Sequence, residues 1–314
     1  MIKDSFPLVS IVIITYNDEN NILESIQSAL NQTYRNIEVI VVDDGSTDNT
    51  SSLIKKYNSN VKYIYQNNSG IGSARSLGLD SSVGKYVQFL DSDDILPNDK
   101  IEWQSSFLDS NSDYAFVYGN TKCFYVSDNL EESWDHPSNK LARSGNLLMD
   151  IINNGNFINI GQPLFNRSDL IQIGGWDSCL KGSDDQDVMI RLALNGSLGA
   201  YVDKTAYFYR HIIEEGTNNS IARHKLIDRY EGELRAWLKL EKNSLNHFQI
   251  KKVKRKISFI YFQLSKAYYK TDSKKVSLKM LLKAFSYNKR IKYLFFFCVV
   301  ILVDFGRLKM ILNK

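Results

Sequence analysis

Cysteine is scarce in this 314-residue sequence, which contains only Cys123, Cys179 and Cys298, far apart and with no CxxC pair. Neither a disulfide framework nor a structural zinc site is expected from an odd number of widely separated cysteines. The chain also has only four prolines and no low-complexity tract or internal repeat. We therefore expect an ordinary globular protein of a reducing, cytoplasmic compartment.

Long hydrophobic runs are missing as well. The longest, residues 293–303, has eleven residues. As a helix it would cover only about half of a hydrocarbon core ~30 Å thick. At the start of the chain, Lys3, Asp4 and Ser5 precede only a short apolar stretch, which is not typical of a targeting segment. The sequence therefore predicts neither a membrane-spanning helix nor export.

Several catalytic and nucleotide-binding motifs are absent too. There is no GxxxxGK[ST] phosphate loop, no HExxH, no GxSxG and no Cys/His pairing. Residues 70–75 (GIGSAR) begin like a dinucleotide fingerprint, but they lack the third glycine and follow the third predicted strand rather than the first. These absences argue against P-loop NTPases, metalloproteases, serine or cysteine hydrolases and NAD-dependent enzymes.

What the sequence does have is a polarised charge. Positions 1–240 hold 32 acidic and 21 basic residues, whereas positions 241–314 hold 3 acidic and 18 basic residues. The formal net charge of +4 therefore combines an acidic part of −11 with a basic part of +15. A basic surface suits nucleic acid or an anionic membrane, but only the last quarter of the chain has one.

The first hundred residues alternate between β-branched apolar runs and helical periodicity. The runs at 9–15, 37–42, 61–65 and 86–90 predict strands, and the segments between them predict crossover helices. This alternation indicates an α/β fold with a mainly parallel sheet and helices on both faces. Ligands of such sheets bind at the carboxyl ends of the strands.

The rest of the chain is less regular. We predict a strand near 114–118, irregular structure around 134–137 and a helix at 184–195, followed by a basic, helical last quarter. The change in composition suggests two domains, residues 1–220 and a helical C-terminal region at 221–314.

Two acidic clusters follow predicted strand ends, Asp43 with Asp44 and Asp91 with Asp93 and Asp94, so both are expected on one rim of the sheet. Asp91 and Asp93 are two positions apart and would point to the same side of an extended segment. Paired carboxylates of this kind suit Mg²⁺ or Mn²⁺, which neutralise a departing diphosphate. The alternative is that these acids only end strands and begin helices.

A resemblance to one family rests on six segments in a fixed order: PLVSIVIITYN at 7–17, VVDDGSTD at 41–48, GIGSARSLGL at 70–79, YVQFLDSDD at 86–94, GGWD at 174–177 and SDDQDVMIRLALNG at 183–196. Over roughly residues 7–215 the chain resembles the family 2 glycosyltransferases. The resemblance implies a Rossmann-like GT-A fold, a nucleotide-diphospho-sugar donor and a displacement that inverts the anomeric carbon.

The resemblance also implies roles on the donor side. Asp93 matches the metal-binding aspartate of the DxD motif. His211 matches a late Tyr-Arg-x-His element near the diphosphate, although here it directly follows Arg210. His211 is therefore either a metal-side residue or a structural one. Five further positions match nucleotide-binding segments: Thr15, Tyr16, Asp44, Arg75 and Asp91.

On the acceptor side, the resemblance assigns the general base to Asp185, with Asp184 at the family's glutamate position and Arg191 as the downstream arginine. An inverting displacement needs a carboxylate opposite the leaving diphosphate to take the acceptor's proton. Asp187 is a nearby competitor, and a helix cap would explain either aspartate without catalysis. Trp176 could stack on an acceptor sugar or pack in the core.

The last quarter of the chain combines lysines with apolar residues at helical spacing. Residues 251–256 hold five basic side chains, and residues 274–285 separate into a basic and an apolar helical face. These features suggest a helix at an anionic membrane surface, close to a polyprenyl-linked glycan acceptor. A soluble helical cap is the alternative. Nucleic acid is not expected as a partner, because the aromatics are embedded among aliphatic residues.

These features together predict an inverting, metal-dependent glycosyltransferase of surface polysaccharide synthesis, peripheral on the cytoplasmic face of the cell membrane. The expected donor is a UDP-sugar and the expected acceptor a hydroxyl of a membrane-linked glycan. One alternative is a sugar-phosphate nucleotidylyltransferase, whose glycine-rich signature is missing after the first strand. The other is a catalytically silent membrane-bound subunit, against which the intact Asp44, Asp93 and Asp185 argue.

Overall fold

The computed structural model describes residues 6–57, 60–125, 130–180, 182–211, 220–271, 273–289 and 293. These residues form two compact units. The first unit contains the described residues up to 180 together with residues 184–211. The second contains residues 182 and 183 and the described residues from 220 onward.

The first unit is built on an eight-stranded sheet. Its strands are β1 (Val9–Thr15), β2 (Ile37–Asp43), β3 (Lys62–Tyr65), β4 (Tyr86–Asp91), β5 (Tyr114–Tyr125), β6 (Trp134–Asp135), β7 (Leu164–Asn166) and β8 (Leu198–His211). Its α-helices are α1 (Ile22–Leu30), α2 (Thr50–Ile54), α3 (Ile71–Ser81), α4 (Lys100–Ser110), α5 (Leu148–Asn154), α6 (Arg167–Gln172) and α7 (Asp184–Leu194). Short 3₁₀ turns occupy Lys55–Tyr57, Leu130–Glu132 and Pro137–Leu141.

The strand order is β3-β2-β1-β4-β7-β5-β6, and β8 pairs with β5. Strands β1 to β4 are parallel neighbours, whereas β7 is antiparallel to both β4 and β5. Strand β5 consequently runs in the same direction as β4, and β8 is parallel to β5. The carboxyl ends of β1, β2, β4, β5 and β8 therefore share one rim. The expected α/β sheet with flanking helices is confirmed.

Burial explains why the first strands form where the sequence predicts them. Every residue of β1 is buried, and so are the last five residues of β2. Helix α1 covers the sheet with Ile22, Ile26 and Ala29, which share one helical face and are fully buried. On α3, a Cβ at Gly78 would overlap the Val12 side chain, so only glycine lets this helix lie so close to β1.

Strand β5 is longer than its sequence predicts. The expected strand at 114–118 is only its first part, because β5 continues to Tyr125 through Gly119 and three polar residues. Pairing with β8 supplies the hydrogen bonds of this second part, with register shifts around Asn120. The segment expected to be irregular at 134–137 contributes the two-residue strand β6.

Among its described residues, the second unit contains the helices α8 (Ser220–Glu241), α9 (His247–Lys270) and α10 (Lys274–Tyr287). Helix α9 begins with a capping box between Asn246 and Gln249, and Ser258 Oγ of α9 donates to the Ala284 carbonyl of α10 at 2.7 Å. No helix among the described residues is long and apolar enough to cross a membrane. The apolar run at 293–303 lies outside the described residues, apart from Tyr293.

Candidate functional site

The loops that follow β1 and β2 are hydrogen-bonded to each other at the rim. Asn17 Oδ1 accepts from the Thr47 amide at 2.7 Å, and the Asn17 amide donates to Ser46 Oγ at 3.0 Å. Asn17 has a φ of 50°, a left-handed conformation that asparagine tolerates. Thr15 is buried below this turn and Tyr16 is exposed at its surface. The turn thereby leaves the Tyr16 ring open to a ligand.

Asp44 fastens the loop that precedes α3. Its buried carboxylate accepts from the Ser69 amide at 2.8 Å and from Gln66 Nε2 at 2.6 Å through Oδ1, and from the Gly70 amide at 2.9 Å through Oδ2. Gly70 has a φ of 91°, which glycine adopts readily. Asp44 therefore sets the entry of α3 on the side of the rim where the resemblance places the nucleoside.

Arg75 joins three motifs that are distant in sequence. Its buried guanidinium donates to Asp184 through Nη1 and to Asp91 through Nη2, the latter at 2.5 Å. Burial lowers the pKa of Arg75, but the charges of Asp184 and Asp91 outweigh burial and raise it above its usual value. This arginine thus links α3, the end of β4 and the start of α7.

Trp176 packs in the core beside this arginine. Its ring lies 5.3 Å from the Arg75 guanidinium and 5.0 Å, edge to face, from the Phe89 ring. The side chain is only 3% exposed. Of the two alternatives for Trp176 the structure favours packing, since no ring face is open for an acceptor sugar.

The DxD segment leaves one carboxylate outside the ion pairs. Asp91 is bound to Arg75, whereas no side chain of the described residues donates to the carboxylate of Asp93, which is half-buried. Burial and the charges of Asp91 and Asp18 raise the pKa of Asp93 to about 6. The Asp18 carboxylate accepts from Ser92 Oγ at 2.6 Å, so it belongs to the same acidic group although no motif marks it.

Strand β8 holds the DxD segment in place. Buried Asp94 accepts from the Tyr207 hydroxyl and from the Arg210 amide, the latter at 2.7 Å. Arg210 Nε donates to the Asp93 carbonyl at 2.6 Å, and its Nη2 donates to Glu24 of α1. Burial and the charge of Asp93 raise the pKa of Asp94 well above its usual value. Glu24 lies on α1 outside the six segments, so no motif singles it out.

Asp185 forms no ion pair with the described residues, unlike its neighbours Asp184 and Asp187. Its Oδ1 accepts from the Gln186 amide at 2.7 Å, and its Oδ2 accepts from Asn156 Nδ2 at 2.8 Å. Burial and the charge of Asp184 raise the pKa of Asp185 to about 6, against the opposing charge of Arg75. Asn156 lies between α5 and β7, where no sequence signal singles it out.

The competitor Asp187 is engaged elsewhere. It is fully buried and accepts from Arg191 Nε at 2.8 Å, one helical turn along α7. Arg191 Nη1 also donates to the Ile173 carbonyl at 2.8 Å, which ties α7 to the end of α6. The structure therefore places Asp187 and Arg191 in a structural pair. Asp184, also expected on the acceptor side, forms an ion pair with Arg75.

His211 ends β8 among aromatic rings. Its ring lies 5.2 Å from Tyr209, 5.6 Å from Trp134 and 6.2 Å from Tyr125. Within the part of the chain that the structure describes, no three His, Cys, Asp or Glu side chains come close enough to enclose a metal ion. A metal at the DxD segment would therefore need other ligands, as Mg²⁺ does when it binds substrate phosphates through one or two carboxylates.

Comparison with known families matches residues 10–173, slightly more than half of the chain, to the model of "Glycosyl transferase family 2". An uncharacterized glycosyltransferase of Rickettsia prowazekii, RP339, is 33% identical over 238 residues, which are 74% of this chain and 72% of the relative. An uncharacterized glycosyltransferase of Rickettsia bellii is 41% identical over 146 residues, 46% of this chain. The chain spans only 20% of the length of that relative.

A third relative carries a specific name. The Escherichia coli protein named UDP-Glc:alpha-D-GlcNAc-diphosphoundecaprenol beta-1,3-glucosyltransferase WfaP is 41% identical over 115 residues, 36% of this chain and 45% of the relative. The chain covers less than half of that relative, so the match bears on the shared segment alone.

Two solved structures share the fold. S. aureus TarS 1-349 in complex with UDP-GlcNAc superposes with a TM-score of 0.66 at 20% identity, covering 89% of this chain and 81% of that one. The mannosyltransferase PcManGT of Pyrobaculum calidifontis, in complex with GDP-Man and Mn²⁺, gives a TM-score of 0.58 at 16% identity, with coverages of 98% and 81%. At these identities the likeness concerns the fold alone.

Proposed function

The chain belongs to glycosyl transferase family 2, and from this premise we propose that it transfers a sugar from UDP to a glycan hydroxyl with inversion at the anomeric carbon. One observation carries the proposal. Asp93 and Asp185 are half-buried rim carboxylates that form no ion pair with the described residues, and each lies close in sequence to a partner of Arg75. Their separate surroundings suit two tasks, one at the leaving diphosphate and one at the attacking hydroxyl.

Asp185 acts as the general base. The acceptor oxygen forms a bond to the anomeric carbon while the bond from that carbon to the diphosphate oxygen breaks, and the hydroxyl proton passes to Asp185. Asn156 Nδ2 holds one carboxylate oxygen, and the Gln186 amide holds the other. A carboxyl pKa raised to about 6 makes Asp185 a stronger base than an ordinary aspartate while it stays ionised at neutral pH.

The DxD segment fits a divalent cation. The donor set consists of hard oxygens: the Asp93 carboxylate, which accepts from no side chain of the described residues, and the partly exposed Asp91 beside it. A bound Mg²⁺ or Mn²⁺ supplies charge neutralisation for the leaving diphosphate. Strand β8 orients the segment through Arg210 and Asp94. His211 is proposed as a further metal-side residue, at the end of the same strand.

The nucleoside occupies the side of the rim formed by β1 and β2. Tyr16 offers an exposed ring there, Thr15 lies directly below it, and Asp44 fixes the loop that leads to α3. The TarS structure, which contains UDP-GlcNAc, and the printed donor of the Escherichia coli relative, UDP-Glc, support UDP as the nucleotide.

We place the acceptor at a membrane and the end of the transferase domain near residue 220. The name of the Escherichia coli relative specifies a diphosphoundecaprenol-linked acceptor. In the second unit, α10 exposes Leu282 at 59% beside Lys275, Lys279 and Lys283, while the neighbouring Leu281 is buried. Basic and apolar side chains thus share one exposed face, as on helices that lie in an anionic membrane interface on the cytoplasmic side.

Calorimetric titration with UDP and an assay for UDP release test the proposal together. We expect Mn²⁺-dependent UDP binding that Asp93→Asn weakens at least tenfold and Asp185→Asn preserves, whereas transfer fails in both. Asp113→Asn is the matched control. Asp113 is exposed and directly precedes β5, at the amino ends of the strands and away from the rim, so this variant should retain full activity. Full transfer by Asp93→Asn or Asp185→Asn would contradict the proposal.

A further inference from the structure

Four rings form a continuous strip at the carboxyl ends of β5 and β8. The strip consists of Tyr209, His211, Trp134 and Tyr125. Neighbouring ring centroids are 5.2 Å apart from Tyr209 to His211, 5.6 Å from His211 to Trp134 and 4.8 Å from Trp134 to Tyr125. The four residues come from three strands of the first unit, so the sheet itself brings them together.

The strip is accessible and amphipathic. Tyr125, Trp134 and Tyr209 are 38%, 36% and 37% exposed, in contrast to Trp176 and Tyr207, which are buried. Tyrosine and tryptophan have an apolar ring with a polar hydroxyl or N–H at the edge. A ligand with a C–H face and hydroxyl edges, such as a pyranose ring, matches this combination better than an acyl chain, which has no polar edge.

One end of the strip reaches the DxD segment. The Tyr209 ring lies 6.3 Å from the ring of Tyr207, whose hydroxyl donates to Asp94. Arg210, which lies between Tyr209 and His211 on β8, donates from its amide to Asp94 at 2.7 Å and from Nε to the Asp93 carbonyl at 2.6 Å, so this part of β8 lies directly against the DxD segment. The strip therefore leads away from the reaction centre along the surface.

The charges around Trp134 restrict the ligand further. Glu132 and Asp135 are exposed close to Trp134 in sequence, and Lys122 lies directly opposite Asp135 in the β5–β6 pair. Carboxylate oxygens accept hydrogen bonds from hydroxyls, and they do not attract phosphate groups or anionic lipid headgroups. A neutral saccharide suits these surroundings, and a nucleotide or an anionic membrane surface does not.

The sheet order places the strip on the acceptor's side. The proposed nucleoside position is at β2 and β1, the DxD segment follows at β4, and β5 with β8 lies beyond β4 on the far side from β2. A nucleotide-sugar donor bound in this way extends along the rim from its base at β2 to its diphosphate at β4. A ligand that binds at β5 and β8 therefore lies beyond the diphosphate and past the transferred sugar.

We propose that the exposed rings of this strip, Tyr125, Trp134 and Tyr209, are an acceptor subsite that stacks on a neutral sugar ring of the glycan; His211 packs against them and keeps the metal-side role proposed above. This subsite rests on the proposed function, because it serves the same rim. Stacking on these exposed rings holds the acceptor chain beside the reaction centre. The rings themselves take no part in the proton transfer.

The test uses the full chain and methyl glycosides of glucose and N-acetylglucosamine, with their β-linked disaccharides, as probes. Saturation-transfer NMR measures saccharide binding, and calorimetry measures binding of UDP with Mn²⁺. We compare Trp134→Ala, Tyr125→Ala and Trp134→Phe with Phe6→Ala, an exposed aromatic at the amino end of the sheet. Circular dichroism verifies that each variant folds.

We expect at least one saccharide to bind, with an affinity that falls roughly tenfold in each alanine variant and much less in Trp134→Phe and Phe6→Ala. UDP binding stays unchanged in all four variants. Absence of saccharide binding to the unmodified chain, or unchanged affinity in both alanine variants, would overturn the subsite. Failure of UDP binding in the unmodified chain would instead contradict the proposed function, so the two failures are distinguishable.

Discussion

The aspartates of the rim fall into two groups that differ in burial and in hydrogen-bond partners, which we call the floor and the surface. We define the floor as four buried aspartates that accept from an arginine or from the backbone: Asp44, Asp94, Asp184 and Asp187. The surface consists of the half-buried Asp93 and Asp185, which stand outside ion pairs of the described residues. The floor's carboxylates fix the shape of the rim, and those of the surface are left for chemistry.

Burial explains this division. A buried carboxylate must be compensated by donors or opposite charge, because an uncompensated charge in the interior is strongly destabilising. The buried guanidinium of Arg75 compensates Asp184 and half-exposed Asp91 at once. A carboxylate at the surface of the rim keeps some contact with water, so it can stay without a cationic partner until substrate arrives.

Asp185→Asn should give the largest effect. Loss of the general base lowers the transfer rate by about 10³-fold, within the range typical of such residues. Asparagine keeps the size of the side chain, so folding and UDP binding should be unchanged. The measurement is single-turnover sugar transfer with saturating UDP-sugar. Transfer above one tenth of the normal rate would exclude Asp185 as the base.

Arg75→Met should lower the free energy of unfolding. The substitution leaves Asp184 buried without its cation, and we expect a loss of about 3–5 kcal/mol in the free energy of unfolding in urea. Arg143→Met is the matched control, since its ion pair with Asp150 is half-exposed and should contribute at most ~1 kcal/mol. Equal losses in the two variants would contradict the division between floor and surface.

The pH dependence of kcat/KM should follow the ionisation of the surface aspartates, Asp93 and Asp185. A general base works in its ionised form, and the pKa of Asp185 is raised to about 6 from a usual value of 3.8. Activity should therefore fall at least tenfold per pH unit as the pH decreases below about 6, because Asp93, whose pKa is also raised to about 6, must be ionised to hold a cation. A profile that stays flat down to about pH 5 would show that no raised carboxyl controls the rate.

Asn156→Ala should give the smallest effect on the transfer rate, and it tests the assignment of Asp185 as the general base. The substitution removes the donor that stabilises the ionised Asp185, so the pKa of that carboxyl should rise and the acidic limb of the pH profile should move upward. A rise of the pKa by about one unit would roughly halve the ionised fraction of Asp185 at neutral pH, so we expect a roughly twofold lower rate there and a larger loss at lower pH. A purely structural role would lower the rate equally at every pH, and Asn156→Gln should restore part of the activity.

Much of the fold was predictable because local signals agree with burial. Strands β1 and β2 are β-branched and buried, and α1 repeats its apolar residues at helical spacing. The second half of β5 was not predictable. Its residues 119–122 are Gly, Asn, Thr and Lys, and pairing with the distant β8, together with β6 at Lys122, makes them a strand. Long-range pairing of this kind leaves no periodic trace in the sequence.

The functional site was also only partly predictable from the sequence. The motifs located the rim carboxylates and favoured Asp185 over Asp187, but they did not supply the physical reason, because positions within the first turn of one helix differ in burial only once the helix is packed. The i, i+4 spacing of Asp187 and Arg191 was a usable signal for an ion pair. Asn156 and the ring of Trp134 carry no motif at all, since their positions depend on how distant loops fold over the rim.

The most direct test of the central claim is an assay of UDP-sugars for metal-dependent release of UDP, followed by NMR of the anomeric proton in the product. With an α-linked UDP-sugar, a glycan acceptor and Mn²⁺, we predict UDP release and a β-linked product, both abolished by Asp185→Asn. An α-linked product, or transfer that continues without Asp185, would contradict direct displacement assisted by this carboxylate.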